Sequence, residues 1–322
     1  MIQIDKSGID EIYTMTDAIM SVRKALVMHE KGETQIPVRT SLDIASKQGT
    51  CLFMPGMIES MNLIGVKIVS VYPGNAKKGL ENVPSEMILL DGETGYVKTI
   101  INGTRLTEIR TGAVSAIASD IICPANVKKA AMIGTGGQAP SQIEGLLTVR
   151  NIDTVNIAAR SHEKTIAFAN EMNRRFGKRF GTEFIACKTV EEAVEEADIV
   201  TTATTSKTPV INRGMLKDNV HINAVGSFRR DMQEIHEDII GDASFILVDN
   251  LQGVLKEAGD LLIPMEKGII EKKDFSSELG SFVSGKKKYI SRGGVTVFET
   301  VGFGALDLVV ANDILNKFES KI

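Results

Sequence analysis

The chain has 322 residues, 43% hydrophobic and 24% charged, with a formal net charge of −4. That length suffices for two domains, and the charge offers no basic stripe for nucleic acid. Three scattered cysteines (Cys51, Cys123, Cys187) without a CxxC, and four histidines without an HxxxH, predict no disulfide framework and no metal site.

The first residues, MIQIDKSGIDEIY, are interrupted by acids and lead into no apolar core, unlike a signal peptide. No run reaches the ~18 apolar residues of a membrane span, so a cytoplasmic protein with reduced thiols is expected. Apolar groups at Ile19, Val22, Ala25 and Leu26 have helical spacing over 17–31, and Gly32 follows as a stop. Strand-like stretches come next, around 40–44, 51–57 and 64–72. Two apolar runs, 87–90 and 96–101, flank Asp91-Gly92-Glu93-Thr94-Gly95 and predict a hairpin. Residues 106–122 predict a helix with Leu106, Ile109, Ala113, Ala116 and Ile117 on one face. This first part reads as α+β.

After Pro124 strands alternate with helices, the pattern of an α/β domain with a parallel sheet. Strands are expected at 129–133, 154–158, 183–186, 199–203, 220–225 and 245–248, with helices at 138–149, 162–175 and 190–197. Six strands are the count of a complete dinucleotide-binding sheet of the Rossmann type. A last helix, 306–318, is expected to return to the first domain. The predicted division is therefore 1–124 with 303–322, and 125–302.

Gly134-Thr135-Gly136-Gly137-Gln138-Ala139 falls between the first strand of this second part and its first helix. Gly134 permits the tight turn, Gly136 lets the backbone approach a pyrophosphate, and Ala139 allows close helix–strand packing. Gly137 and Gln138 complete the loop at a helix N-terminus, whose free N–H groups and dipole favour an anion. A nicotinamide dinucleotide is the expected ligand. NAD-binding chains usually end the second strand in an acid that holds the ribose 2′-hydroxyl. Here Ala159-Arg160-Ser161 follows, with Lys164 a turn later. Cations there suit a 2′-phosphate, so NADP(H) is expected in preference to NAD(H); the alternative is that Arg160 and Lys164 are solvated residues at a helix start.

Three cations stand out in the first part. Lys67 lies in Val66-Lys67-Ile68-Val69-Ser70-Val71, where alternation puts it on one face with Val69 and Val71. A lysine on an apolar face is paired, reaches out from an edge strand, or works in a pocket. Arg39 opens a strand after Pro37-Val38. Arg110 begins the small-residue run Arg110-Thr111-Gly112-Ala113-Val114-Ser115, which suits close approach by a helix or a ligand. Together they suit a small carboxylate substrate.

These segments resemble the ornithine cyclodeaminase/μ-crystallin family over nearly the whole length. The resemblance rests on Pro37-Val38-Arg39, on 66–75, on 106–116 with its RTGAVSA run, and on the GTGGQA loop. Ala203-Thr204, Val225–Asp231 and Phe298–Gly302 extend it. It implies a substrate-binding and dimerisation domain completed by the C-terminal helix, plus a Rossmann domain, in a homodimer. It implies that Arg39 and Arg110 clamp a substrate carboxylate and that Lys67 sits beside the reacting carbon and nitrogen. It also implies cofactor contacts from Arg110, Thr111, Ala203, Thr204, Gly226 and Thr300. Members of the family reduce cyclic imines or keto acids, deaminate amino acids, or convert ornithine to proline, and one branch binds thyroid hormone. Cyclodeaminases of the family carry an aspartate at the position of Phe228, and phenylalanine can be neither acid nor base. The expected activity is reduction of a small α-imino or α-keto carboxylate. Ornithine cyclodeamination and nucleotide-dependent binding without turnover are the alternatives.

Overall fold

The computed structural model describes residues 1–275 and 277–321. By its internal contacts the chain divides into two units, 1–110 with 303–322 and 111–302. The division runs through the Gly103–Ile122 helix rather than after it at residue 124, so this single helix contributes residues to both units.

The first unit is built on a seven-stranded sheet. Its strands are β1 (Ile2–Ile4), β2 (Thr34–Gln35), β3 (Thr40–Ile44), β4 (Gly49–Ile58), β5 (Leu63–Val71), β6 (Ser85–Asp91) and β7 (Val97–Asn102). They run in the order β1-β7-β6-β5-β4-β2, with β3 also on β4. All pairs are antiparallel except β1 with β7. Alternation sends Met54, Ile58, Leu63, Val69, Met87, Leu89 and Ile101 to one buried face. Of the helices Met15–Glu30 and Gly304–Lys321, the second lies on that face, with Leu308 against it, and the first packs on the second. The first of them starts on a capping box formed by Thr14 and Asp17.

Gly56 and Gly65 stand opposite each other on β4 and β5. A Cβ at either would come within 2.8 or 2.9 Å of the Leu308 methyls. The two glycines let the Gly304–Lys321 helix lie close against the sheet. By its contacts the helix groups with residues 1–110.

The second unit is an eight-stranded, wholly parallel sheet. Its strands are β8 (Lys129–Ile133), β9 (Thr154–Ala158), β10 (Glu183–Ala186), β11 (Ile199–Thr202), β12 (Val220–Ala224), β13 (Ala243–Val248), β14 (Ser277–Glu278) and β15 (Val295–Glu299). The order is β10-β9-β8-β11-β12-β15-β13-β14. Sequence reading finds six of them and misses β14 and β15. β15 is inserted between β12 and β13 and buried along its whole length. The central strands β11 and β12 are buried along their whole length, Thr201, Thr202, His221 and Asn223 included, as strands covered on both faces are. Among the described residues no helix is long and apolar enough to cross a membrane.

Candidate functional site

Lys67 lies on a central strand of the first unit, between Met54 of β4 and Met87 of β6. The edge-strand reading is thereby excluded. The side chain is buried, and its Nζ lies 2.7 Å from Asp307 Oδ2. The other oxygen of the same carboxylate accepts the Nε–H of Arg110 at 3.0 Å. Asp307, buried at 1% exposure, belongs to the Gly304–Lys321 helix, next to the Leu308 that nests over Gly56 and Gly65. The two glycines thus set the depth at which the acid meets the lysine.

Three charges in a dry place need mutual compensation. Burial lowers the Lys67 ammonium to about 8, Arg110 and Arg39 push the same way, and Asp307 opposes them. Burial pushes the Asp307 carboxyl up, but Lys67 and Arg110 outweigh it and hold the group below the ordinary carboxylate value. Near neutrality both partners are therefore charged. Arg39 is half-buried, near enough for its charge to bear on Lys67. The structure thus joins all three sequence-predicted cations electrostatically and adds the acid that sequence reading passed over. Lys67 and Arg110 share the Asp307 carboxylate, two cations on one acid, and a carboxylate-bearing ligand would balance the charge left over.

In the second unit the glycine loop follows β8, beside the point where the sheet order reverses from β8–β9 to β8–β11. Ligands bind at that crevice in doubly wound folds. Gly134 has φ +108°, and a Cβ there would stand 2.6 Å from the Ala203 carbonyl oxygen. Nothing lies within 4 Å of a Cβ on Gly136. Gly136 and Gly137 are exposed, while Ala139 is buried against the sheet. The Ala139–Val149 helix begins without a side-chain cap at Gln138, whereas the helices that follow Ser161, Thr189 and Asn250 are capped by those residues. An open glycine turn beneath an uncapped helix N-terminus fits a pyrophosphate.

Ala159 and Arg160 follow β9, with Arg160 and Lys164 exposed. Among the described residues neither cation is ion-paired. Ser161 caps the next helix, its hydroxyl accepting the Lys164 N–H at 3.4 Å. Ala203 and Thr204 follow β11, and Gly226 follows β12. Thr300 follows β15, buried, and donates its hydroxyl to Asp249 Oδ2 at 2.6 Å. Thr111 is buried on the Gly103–Ile122 helix. The small-residue run beyond it serves helix packing: a Cβ on Gly145 would collide with the Gly112 carbonyl. Phe228 is half-buried two residues past Gly226, and the nearby Asp231 is ion-paired with Lys207 at 2.7 Å and Arg229 at 3.2 Å. Among the described residues no cluster could hold a metal.

Sheet order, glycine turn and open helix end define a doubly wound dinucleotide-binding protein with a second, mixed-sheet unit built around a buried lysine. The chain belongs to the ornithine cyclodeaminase/mu-crystallin family, whose description matches residues 3–322. It is 36% identical over 318 residues to a Delta(1)-pyrroline-2-carboxylate reductase of Bacillus cereus, covering 98% of this chain and 96% of the relative. A solved structure of the Thermococcus litoralis Delta(1)-pyrroline-2-carboxylate reductase, in complex with NADH and L-proline, superposes with a TM-score of 0.94 at 33% identity, covering 100% and 98% of the two chains. An archaeal alanine dehydrogenase dimer with bound NAD superposes at 0.91 and 28% identity, covering 99% and 96%.

Proposed function

We propose that the chain is an NAD(P)H-dependent oxidoreductase that reduces a small α-imino or α-keto carboxylate, with Δ1-pyrroline-2-carboxylate as substrate and proline as product. The observation that carries this is the Lys67 ammonium held out of water on Asp307, beside Arg110. Arg110 gives its Nε–H to Asp307, and its terminal nitrogens, with Arg39, take the substrate carboxylate. When bound, the reduced nicotinamide supplies a hydride to the α-carbon. As the carbon–nitrogen double bond becomes single, the nitrogen gains an electron pair and needs a proton. Lys67, near 8, is charged at neutral pH and able to give one. Fixing the carboxylate at one end presents the imine carbon in a single orientation.

The dinucleotide is held by Gly134, Gly136, Gly137 and Gln138, with Ala203, Thr204, Gly226, Thr300, Thr111 and Arg110 toward its nicotinamide half. Arg160 and Lys164, beside Ala159 and Ser161, favour the 2′-phosphate of NADP(H) over NAD(H). Cyclodeamination is disfavoured because Phe228 carries no acid and Asp231 is already ion-paired. The first unit serves substrate binding and pairing with a second copy. Its uncovered sheet face presents Ile64, Val66, Ile68, Ile88 and Leu90, all partly exposed, and Val97 at 42% exposure. An apolar face of this kind on one chain suits a twin in a homodimer. Cys51, Cys123 and Cys187 are unpaired, which suits a cytoplasmic location.

The test is loss of reduced-nicotinamide absorbance with Δ1-pyrroline-2-carboxylate, run with NADH and NADPH and against a panel of cyclic imines, keto acids with amines, and ornithine. Imine-dependent oxidation of the cofactor is expected. No absorbance change with any imino or keto acid, or ammonia release from ornithine without net oxidation, would remove the proposal.

A further inference from the structure

The turns carrying Ala203, Thr204 and Gly226 are held by an acid that nothing in the sequence singles out. Glu234 is fully buried. Its Oε1 accepts the Thr204 N–H at 2.5 Å and its Oε2 accepts the Gly226 N–H at 2.7 Å. One carboxylate thus ties the turn after β11 to the turn after β12. Its main-chain oxygen accepts from Val210 at 2.7 Å and Ile211 at 3.3 Å. Its own N–H and that of Ile235 go to Asp260 Oδ1, at 2.7 and 2.9 Å. Glu234 thus bonds segment 203–211 at both ends, beside the Gln233 N–H to Ser206 bond at 3.2 Å, and is itself fixed from behind by Asp260.

The contact is tight as well as bonded. A Cβ on Gly226 would collide with the Thr204 carbonyl and with Glu234 Oε2. Ala203 in turn gives its N–H to Ile133 at 2.9 Å, and its carbonyl faces the place a Gly134 Cβ would take. The Glu234 carboxylate itself bonds to Thr204 and Gly226, not to the glycine turn. Its support falls on the β11–β12 side of the sheet, whereas the turn after β9, which carries Arg160, lies on the other side of β8.

We infer that Glu234 is a positioning residue for the nicotinamide half of the dinucleotide, acting by locking the Thr204 and Gly226 turns together. This rests on the dinucleotide-binding reading above. A glutamine cannot replace the carboxylate, because an amide offers one acceptor oxygen and turns its NH2 toward the second N–H. One of two buried backbone donors is then left unpaired, and the two turns part on the nicotinamide side alone.

The chain has no tryptophan, so the emission of reduced nicotinamide reads binding without interference from indole. Dissociation constants of NADH and NADPH are measured by that emission for the full-length protein and for Glu234→Gln. The constant for ADP, which lacks the nicotinamide riboside, is measured by displacement. The dinucleotide constant is expected to rise about tenfold in E234Q while the ADP constant stays within about twofold. A ratio of the two constants unchanged from wild type overturns the inference, whether both ligands weaken together or neither does. If E234Q does not fold, Glu234→Asp, one methylene too short to reach both turns, is read by the same ratio. Absence of dinucleotide binding to the wild-type protein would refute the underlying functional reading instead. Wild-type binding with an unchanged ratio sinks only the role of Glu234.

Discussion

Replacing Asp307 by asparagine removes the anion that Lys67 and Arg110 share and leaves the shape nearly the same. Unit charges 2.7 Å apart attract by about 6 kcal/mol at an effective dielectric of about 20. At about 1.4 kcal/mol per pKa unit this is a ceiling of about four units on Lys67. Water drawn toward the bare cations offsets part of it, so a fall of about one to four units is expected. The sign follows from the charge: without the carboxylate the ammonium is less favoured, so the lysine deprotonates at lower pH. In the wild type the group sits near 8, and turnover that needs the ammonium fades as pH rises through that value. In D307N the fading begins at least about one unit lower, below neutrality for the larger shifts. The assay is kcat/KM for imine reduction between pH 5.5 and 9.5, with the cofactor saturating. Stranding a buried cation also destabilises the fold, by about 3–5 kcal/mol, so circular dichroism must first show folded protein at each pH. An alkaline limb unmoved in folded, active D307N would refute the claim that Asp307 sets the charge of Lys67.

Three further outcomes follow from other parts of the molecule. Arg160→Ala combined with Lys164→Ala should raise KM for NADPH by tenfold or so while leaving NADH within about twofold, the loss of charge-assisted phosphate contacts; equal effects on both cofactors would remove the NADP(H) preference. Gly134→Ala places a methyl 2.6 Å from the Ala203 carbonyl at a φ of +108°, so dinucleotide affinity should fall at least about tenfold and the melting temperature by several degrees. A lysine at Val66, on the uncovered face of β5, should turn a dimer into a monomer in light scattering with little change in helix content. A wild-type protein that is already monomeric at micromolar concentration would dispose of the homodimer.

The glycine turn could be read from sequence because its chemistry is local: strand, tight turn and helix start are consecutive. Lys67 was legible for a related reason, since a charge that breaks strand alternation stands out within five residues. The same argument applied to the Gly304–Lys321 helix would have found Asp307, an acid set among Leu306, Leu308 and Val309. A helix, however, tolerates an acid in its first turn, and that ordinary explanation hid it. β15 was missed though Val295–Glu299 is an apolar run after Gly293-Gly294. It pairs between strands that precede it by some 50–75 residues of sequence, and no local pattern announces such an insertion. Glu234 left no trace at all. It stands a few residues from Arg229, Arg230 and Asp231 and looks like one more surface charge, and only the fold shows that it is buried.

The position of β15 and of the Gly304–Lys321 helix bears on how this chain acquires its structure. Each unit has its gap filled from residues 295–321: β15 enters the middle of one sheet, and the helix brings Asp307 to the other. Until that stretch has left the ribosome, β12 and β13 lack their neighbour and Lys67 has no counter-charge. Neither unit can then complete itself before residues 295–321 have emerged, so the first unit does not fold ahead of the second as domains that fold in turn during synthesis do. Nascent chains should stay protease-sensitive in both halves up to that point, and their long-range pairings should make refolding slow for their size.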